Sequence, residues 1–317
     1  MRPFTPRSRG TLAILMAVAL LLAVPAPALS ATDPNPGDPM LEGQRGDERS
    51  SPGARADAKW TYMVYMSADN NLEDEAILNF NQMEAVGSTD DVNIVLQLDR
   101  SPEWDETNGN WTTTRRYYVL PDGDPDILNS QLLEDMGEVD MGDADELRDF
   151  VIWAIGSYPA DRYYLDVWGH GGGWRDGTCN DYTSGSVIDT DELGQALQEA
   201  RRSTNVTLDG LGFDQCLMAQ LEVFYEIKQY GDVLVGAETL IPADGYNYTR
   251  VLAPLVADPD MDAAGLAGLI VTAFFDEYGH DNDRAHSAVD AEAMDANLSQ
   301  AMTWMAQRLR ANASSLR

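Results

Sequence analysis

Runs of apolar and β-branched residues alternate along the chain with stretches whose apolar positions recur at helical spacing. Trp60-Thr61-Tyr62-Met63-Val64-Tyr65-Met66 reads as a strand ending in the turn formers Ser67-Ala68-Asp69-Asn70-Asn71, the last of which can cap a helix. Residues 72–86 follow, with Ala76, Ile77, Phe80, Met83 and Val86 on one helical stripe. Val92–Leu98 is a second strand, and the Thr-rich, aromatic run 111–120 predicts one or two strands of a hairpin flanking the main sheet. Residues 143–157 read as a helix with acidic residues in its first turn, where the helix dipole favours them. A strand at 163–168 leads into a glycine-rich, acidic loop at 171–189, and a helix is predicted at 190–202. A strand at 208–213, a helix at 218–229 and a strand at 232–237 come next. After the turn Pro242-Ala243-Asp244-Gly245, the pattern gives helices at 248–256 and 263–278, a short strand at 286–290 and a terminal helix. Such repeated strand–helix alternation builds a mainly parallel sheet covered on both faces, an α/β/α sandwich.

The first residues fall outside this pattern. Arg2, Arg7 and Arg9 precede an apolar run, Leu12–Val24, followed by the small residues of Pro25–Ala31, so residues 1–31 read as a secretory signal. The run is shorter than the ~20 residues of a spanning helix. A stable membrane span is therefore not expected, an uncleaved anchor being the alternative. Residues 32–58, rich in Pro, Gly, Asp and Arg, read as a disordered linker or pro-segment. Residues 59–317 then form one α/β domain, expected to be a monomer.

Charge narrows the partners. With 21 basic against 53 acidic residues the net charge is −32, and Lys59 and Lys228 are the only lysines. Nucleic acid is excluded, because a polyphosphate needs a basic footprint. A solvated acidic surface suits the cell exterior, and a negative field also draws in cationic substrates. Sequons at Asn110, Asn205, Asn247, Asn297 and Asn312 fit the same setting, secreted or on the cell envelope.

Two residues carry candidate chemistry. His170 follows the strand 163–168 in Trp168-Gly169-His170-Gly171-Gly172-Gly173-Trp174, and Cys216 follows the strand 208–213 in Gly212-Phe213-Asp214-Gln215-Cys216-Leu217-Met218. Ligand sites of open parallel sheets lie at the carboxyl ends of the strands. A thiol and an imidazole delivered there are a nucleophile and its acid–base partner. The imidazole and the start of the 218–229 helix would both favour the thiolate. The amides of Gly171 and Cys216 are candidates for an oxyanion hole. The other reading is a catalytically silent extracellular binding or adhesion module, with Cys216 paired to Cys179, the only other cysteine, or simply packed. His170-Gly171-Gly172-Gly173 also matches a lipase oxyanion motif, but no G-x-S-x-G elbow accompanies it. Three histidines and no paired Cys-x-x-Cys are too few ligands for zinc.

The stretches Tyr65–Glu73, Trp168–Gly173, Phe213–Met218 and Ile241–Tyr246, in this order across residues 60–255, resemble the clostripain family of cysteine peptidases, relatives of caspases, gingipains and legumain. The resemblance implies a caspase-like fold, a catalytic dyad of His170 and Cys216, and cleavage after arginine or lysine in proteins or peptides. Asp214 shares a strand face with Cys216, and Asp244 lies in the loop after the next strand; two carboxylates flanking a slot suit a guanidinium. Family members often cut themselves after a basic residue between the histidine and the cysteine. Here that stretch offers Arg175 and Arg201-Arg202, and none from 179 to 192. Gln215 stands where the family often has a small residue. No cofactor is needed for the chemistry. Some members use calcium, for which Asp176, Asp181, Asp189, Asp191 and Glu192 could supply oxygen ligands, although not at EF-hand spacing.

Overall fold

Every residue from Trp60 to Ala68 is buried, as befits a strand covered on both faces. This computed structural model describes residues 58–280 and 284–311. The signal segment and the linker lie outside them, except Ala58, which opens the first strand. In chain order the elements are β1 (Ala58–Ala68), α1 (Glu73–Glu84), β2 (Val92–Arg100), β3 (Thr114–Tyr118), β4 (Gln131–Gly137), α2 (Ala144–Ser157) and β5 (Ala160–Trp168). Next come β6 (Gly171–Gly172), α3 (Gly173–Asp176), β7 (Gly177–Asp181), β8 (Ser186–Ile188), α4 (Thr190–Thr204), β9 (Leu208–Asp214) and α5 (Leu221–Ile227). The last are β10 (Gly231–Ala237), α6 (Tyr248–Ala257), α7 (Ala263–Tyr278), β11 (His286–Asp290) and α8 (Ala291–Ala311).

The main sheet has eight strands in the order β11-β10-β9-β5-β1-β2-β3-β4. From β10 to β2 the pairings are parallel, and both edges are antiparallel. Alternation along β1 sorts the core into two layers. Tyr62, Val64 and Met66 pack with Phe80 of α1, Leu252 of α6 and Ile270 of α7. Met63 and Tyr65 pack with Phe150 of α2 and Leu197 of α4 on the other face. The sandwich expected from the alternation is the one observed.

Three local expectations change. The loop at 171–189 is a small antiparallel sheet, β6-β7-β8, with the single turn α3 inside it. The strand in 111–120 pairs with β4, too polar to stand out in the sequence. The helix expected from Met218 starts only at Leu221. Leu217 takes a left-handed backbone (φ 67°), and the Leu217 and Ala219 amides donate to Thr239 and Ala237 carbonyls beyond and at the end of β10. Those bonds hold the segment along β10 and delay the helix.

His286 on β11 is buried against Phe274 and Tyr246. The Tyr246 hydroxyl donates to the Phe213 carbonyl at 3.0 Å, so at 2.8 Å it accepts the proton on His286 Nε2. Nδ1 is buried without a partner, and protonation would add a donor there with no acceptor. Burial lowers the His286 pKa to about 4. Because the folded value lies below the unfolded one of about 6.5, stability is intact above about 6.5 and falls as pH drops towards 4. Between pH 7 and 4 the wild type should lose about 3 kcal/mol of unfolding free energy relative to His286→Gln, measured by urea denaturation at both pH values. Parallel losses in the two proteins would remove His286 from the acid limb.

Candidate active site

Parallel pairing of β5 with β9 sets Trp168 opposite Asp214. The two strands leave the sheet level with each other. His170 and Cys216, each two residues further on, therefore flank one cavity of about 170 Å³, whose apolar walls include Leu72, Trp168 and Ile241. Gly171 has to be glycine: a Cβ there would lie 2.3 Å from the Cys216 carbonyl oxygen. This close approach brings the Gly171 backbone against that of Cys216.

His170 is half-buried, and its Nε2 lies 2.9 Å from Asn71 Oδ1. An amide oxygen only accepts, so Nε2 carries the proton and Nδ1 keeps its lone pair. The same oxygen accepts from the Tyr182 hydroxyl at 2.9 Å, and the Tyr182 ring lies parallel to the imidazole, 6.3 Å between centroids. Burial lowers the His170 pKa from its ordinary value, which keeps the ring neutral and able to take a proton. Asn71 was legible only as a helix cap. In the structure Leu72 is the N-cap of α1, with no side-chain cap bond; Asn70 Oδ1 accepts from the Leu72 amide in the turn before it, and Asn71 holds His170.

Cys216 is not at a helix N-terminus, as expected from the sequence, because α5 begins five residues later. The Ile241 amide donates to its Sγ at 3.3 Å instead. Cys179 and Cys216 are both unpaired. Cys179 is fully buried, and burial pushes its thiol up to about 12. Gln215 faces Cys179: its Oε1 accepts from the Thr178 hydroxyl and its Nε2 donates to Cys179 Sγ at 3.9 Å. A large residue next to the nucleophile candidate is thus absorbed by the small sheet, away from the cavity.

Asp214 lines the cavity and is 3% exposed. Its Oδ2 accepts from the Tyr246 amide at 2.8 Å and contacts the Tyr248 hydroxyl at 3.2 Å, while Oδ1 has no partner. The Tyr248 hydroxyl also reaches Asp166 Oδ2 at 3.0 Å, which accepts from Tyr62 at 2.8 Å. Burial, and then the Asp166 charge, push the Asp214 pKa well up; burial raises Asp166 to about 6. In the sequence Asp166 is inconspicuous, one acid inside the apolar run Tyr163–Trp168. Asp244 has an exposed side chain that does not line the cavity, and its carbonyl accepts from Asn79 at 3.0 Å.

The acids of the 171–189 region and the next helix do not converge. Asp189 and Glu192 form a capping box at the start of α4, Asp176 and Asp191 are exposed, and Asp181 is buried elsewhere. Arg175 lies in α3, and Arg201-Arg202 lie in the last turn of α4.

Solved structures of similar fold include a secreted C11 cysteine protease from Bacteroides thetaiotaomicron in complex with an irreversible peptide inhibitor. It has a TM-score of 0.61 and 23% identity over 75% of this chain and 68% of that one. An inactive zymogen C11 protease from Parabacteroides distasonis gives 0.58 and 21%, over 75% and 63%. The architecture is thus that of the caspase-like α/β/α sandwiches. The clostripain family model matches residues 64–317, and the chain belongs to the clostripain family. Clostripain from Hathewaya histolytica is 25% identical over 222 residues, 61% of this chain; the chain spans about two fifths of that relative's length, 41% of it being matched.

The two thiols should differ sharply towards alkylation, since Cys179 is fully buried and burial holds back its thiolate, whereas Cys216 lines the cavity. Iodoacetamide on the folded protein should modify Cys216 at least about a hundredfold faster than Cys179, and both alike in denaturant. Peptide mapping by mass spectrometry checks this, and equal labelling of the folded protein would contradict it.

Proposed function

We propose that the chain is a cysteine endopeptidase that cuts proteins or peptides after arginine, with lysine second, and works as a monomer outside the cytoplasm. The observation that carries the reading is the open Oδ1 of Asp214 in the wall of the cavity that His170 and Cys216 flank. A buried carboxylate oxygen without a donor is costly, and a guanidinium supplies two donors in a plane. Asp244 is the second carboxylate of this reading, exposed in the loop after β10 whose Ile241, Pro242, Ala243 and Gly245 line the cavity. The basic, apolar and small-residue sequence of 1–31 supports export.

The chemistry follows from the two side chains. Cys216 Sγ attacks the scissile carbonyl carbon while the neutral His170 takes the thiol proton. The oxyanion is met by the amides of Gly171 and Cys216. His170 then gives that proton to the leaving nitrogen, the C–N bond breaks, and a thioester remains on Cys216. Water adds to the thioester as His170 takes its proton and returns it to the departing sulfur, freeing the carboxylic acid and the thiol. Asn71 holds the ring throughout by accepting the Nε2 proton. No metal or cofactor takes part in these steps.

Cys216→Ala and His170→Ala should each lower cleavage of arginyl peptides by at least about a hundredfold, with Cys179→Ala near wild type. Retained activity in Cys216→Ala, read by mass spectrometry of a random peptide pool, would sink the mechanism.

Specificity has its own signature. Losing one desolvated charge pair costs roughly 2–5 kcal/mol, so Asp214→Asn should lower kcat/KM for arginyl substrates about 30-fold or more and a poor neutral substrate far less. Because burial and Asp166 raise the Asp214 pKa, an incoming cation must compete with a proton. The arginyl-to-neutral ratio of kcat/KM should therefore rise with pH in the wild type and stay flat in Asp214→Asn. A ratio independent of pH in both would assign Asp214 to structure.

A further inference from the structure

The glycines of β9 make room for a buried polar network behind the cavity. Gly210 and Gly212 lie on the strand face shared with Asp214, and a Cβ on Gly212 would lie 2.1 Å from the Tyr164 hydroxyl. Asp166 sits opposite Gly212 on β5 and does not line the cavity. It shares the space with Asp214, Tyr62, Tyr164, Tyr246 and Tyr248, all buried.

Three oxygens stand in a row: Asp166 Oδ2, the Tyr248 hydroxyl 3.0 Å from it, and Asp214 Oδ2 3.2 Å from the hydroxyl. Two hydrogen bonds along such a row need two protons, and a phenol carries one. With both acids ionised, the hydroxyl could donate to only one of them and would turn its lone pairs on the other. One added proton completes the row. The neighbouring donors are already in use: Tyr62 donates to Asp166 Oδ2 at 2.8 Å, the Tyr246 amide to Asp214 Oδ2 at 2.8 Å, and the Tyr246 hydroxyl to the Phe213 carbonyl. Among the described residues, neither acid is paired with a lysine or arginine. The phenols facing the pair are Tyr62 of β1, Tyr164 of β5, Tyr246 and Tyr248 at the start of α6, and Tyr278 of α7. Burial raises the pKa of each, so they stay protonated. His286 reaches the network only through the Tyr246 hydroxyl, Asp244 is exposed, and His170 and Cys216 flank the cavity. Burial raises Asp166 to about 6 and Asp214 well up, the Asp166 charge adding to the second. The inner acid, with two hydroxyl donors, therefore holds the charge while the cavity is empty, and Asp214 holds the proton.

We propose that Asp166 and Asp214 share one proton through the Tyr248 hydroxyl, and that a cation entering the cavity draws the negative charge outward from Asp166 to Asp214. Two protons move. The one on Asp214 Oδ2 passes to the Tyr248 oxygen as the phenol's own proton passes to Asp166 Oδ2. Asp214 ends as a carboxylate, Asp166 as a carboxylic acid and Tyr248 as a neutral phenol, with no proton lost to solvent. Asp166 is thus a positioning residue for charge, which rests on the reading of Asp214 as the partner of an arginyl side chain. With a neutral side chain in the cavity the charge stays inside. The rise of arginyl preference with pH levels off once the pair is down to one proton.

The shared proton is tested on the full chain without ligand. Unfolded aspartates ionise near about 3.9, so at about pH 7–8.5 only the folded wild type holds the extra proton. A fold that binds more protons than the unfolded chain loses stability as pH rises. The wild-type unfolding constant should therefore rise by up to about tenfold per pH unit relative to Asp166→Asn, read by urea denaturation. Asp166→Asn should fold, because its amide can supply the missing proton of the row, and Asp214→Asn should show the same pH dependence. Parallel behaviour of wild type and Asp166→Asn would overturn the shared proton. The movement of charge is read by calorimetric titration of Cys216→Ala with acetyl-arginine-amide at about pH 8, in buffers of different ionisation enthalpy. Binding should release no proton, and release of about one would overturn the inward transfer. Adding Asp166→Asn should tighten binding about tenfold, the equivalent of one pKa unit, since no charge has to move. Unchanged or weaker binding would overturn the role of Asp166. Acetyl-citrulline-amide, the neutral counterpart, should bind the Cys216→Ala protein at least about tenfold more weakly. Equal affinity for the two amides would sink the reading of Asp214 and the charge movement with it, while the stability comparison judges the shared proton on its own.

Discussion

The register between β5 and β9 is the constraint on which the site rests. Both strands are buried on two faces towards their carboxyl ends, so neither can slide by one residue without turning every side chain to the wrong layer. Val167 and Phe213 are paired and belong to one layer of the core, while Trp168 and Asp214 are paired on the other face, beside the cavity. Burial along the carboxyl-terminal part of both strands therefore fixes, to within a residue, where the imidazole and the thiol emerge. Gly171 completes the arrangement by letting two backbones meet where any Cβ would hold them apart.

Two buried ionic groups in the same sheet show how differently charge can be accommodated. Arg100 is wholly buried, yet it bonds to Glu73 at 2.6 Å, to Asp105 and to the Thr107 carbonyl, and lies over the Trp111 ring. Glu73 in turn accepts from the Asp105 amide. That network is closed, and it anchors the loop after β2. Asp214 and Asp166 are equally buried but lean on the hydroxyls of Tyr248 and Tyr62, with an oxygen of each left over. Closed polar networks rigidify a core, whereas open ones mark places where a ligand can improve the energy.

How much was legible in the sequence depended on whether local pattern or distant packing decides a residue's fate. The central strands stood out because two-sided burial writes an unbroken apolar run. His170 and Cys216 stood out because such runs end there in glycine-rich or turn-forming residues. The small β6-β7-β8 sheet and β4 did not, being short and polar, held by backbone pairing more than by side-chain pattern. The missing first turn of α5 turns on Leu217 alone, whose left-handed backbone no propensity announces. Asn71 and Asp166 were hidden for another reason: their partners, His170 and Tyr248, are 99 and 82 residues away.

The separation of the two cysteines has a consequence for how the protein meets oxidants. Cys179 sits behind Thr178 and Gln215 in the core, so Cys216 has no resolving thiol within the chain. Oxidised Cys216 would stop at the sulfenic acid or be capped by a small external thiol, rather than closing an internal disulfide. A mixed disulfide of that kind is undone by simple exchange with a free thiolate. Without such a thiol, further oxidation to the sulfinic acid is irreversible. The supply of small thiols around the protein thus decides whether an oxidative insult to this chain is a pause or a permanent loss.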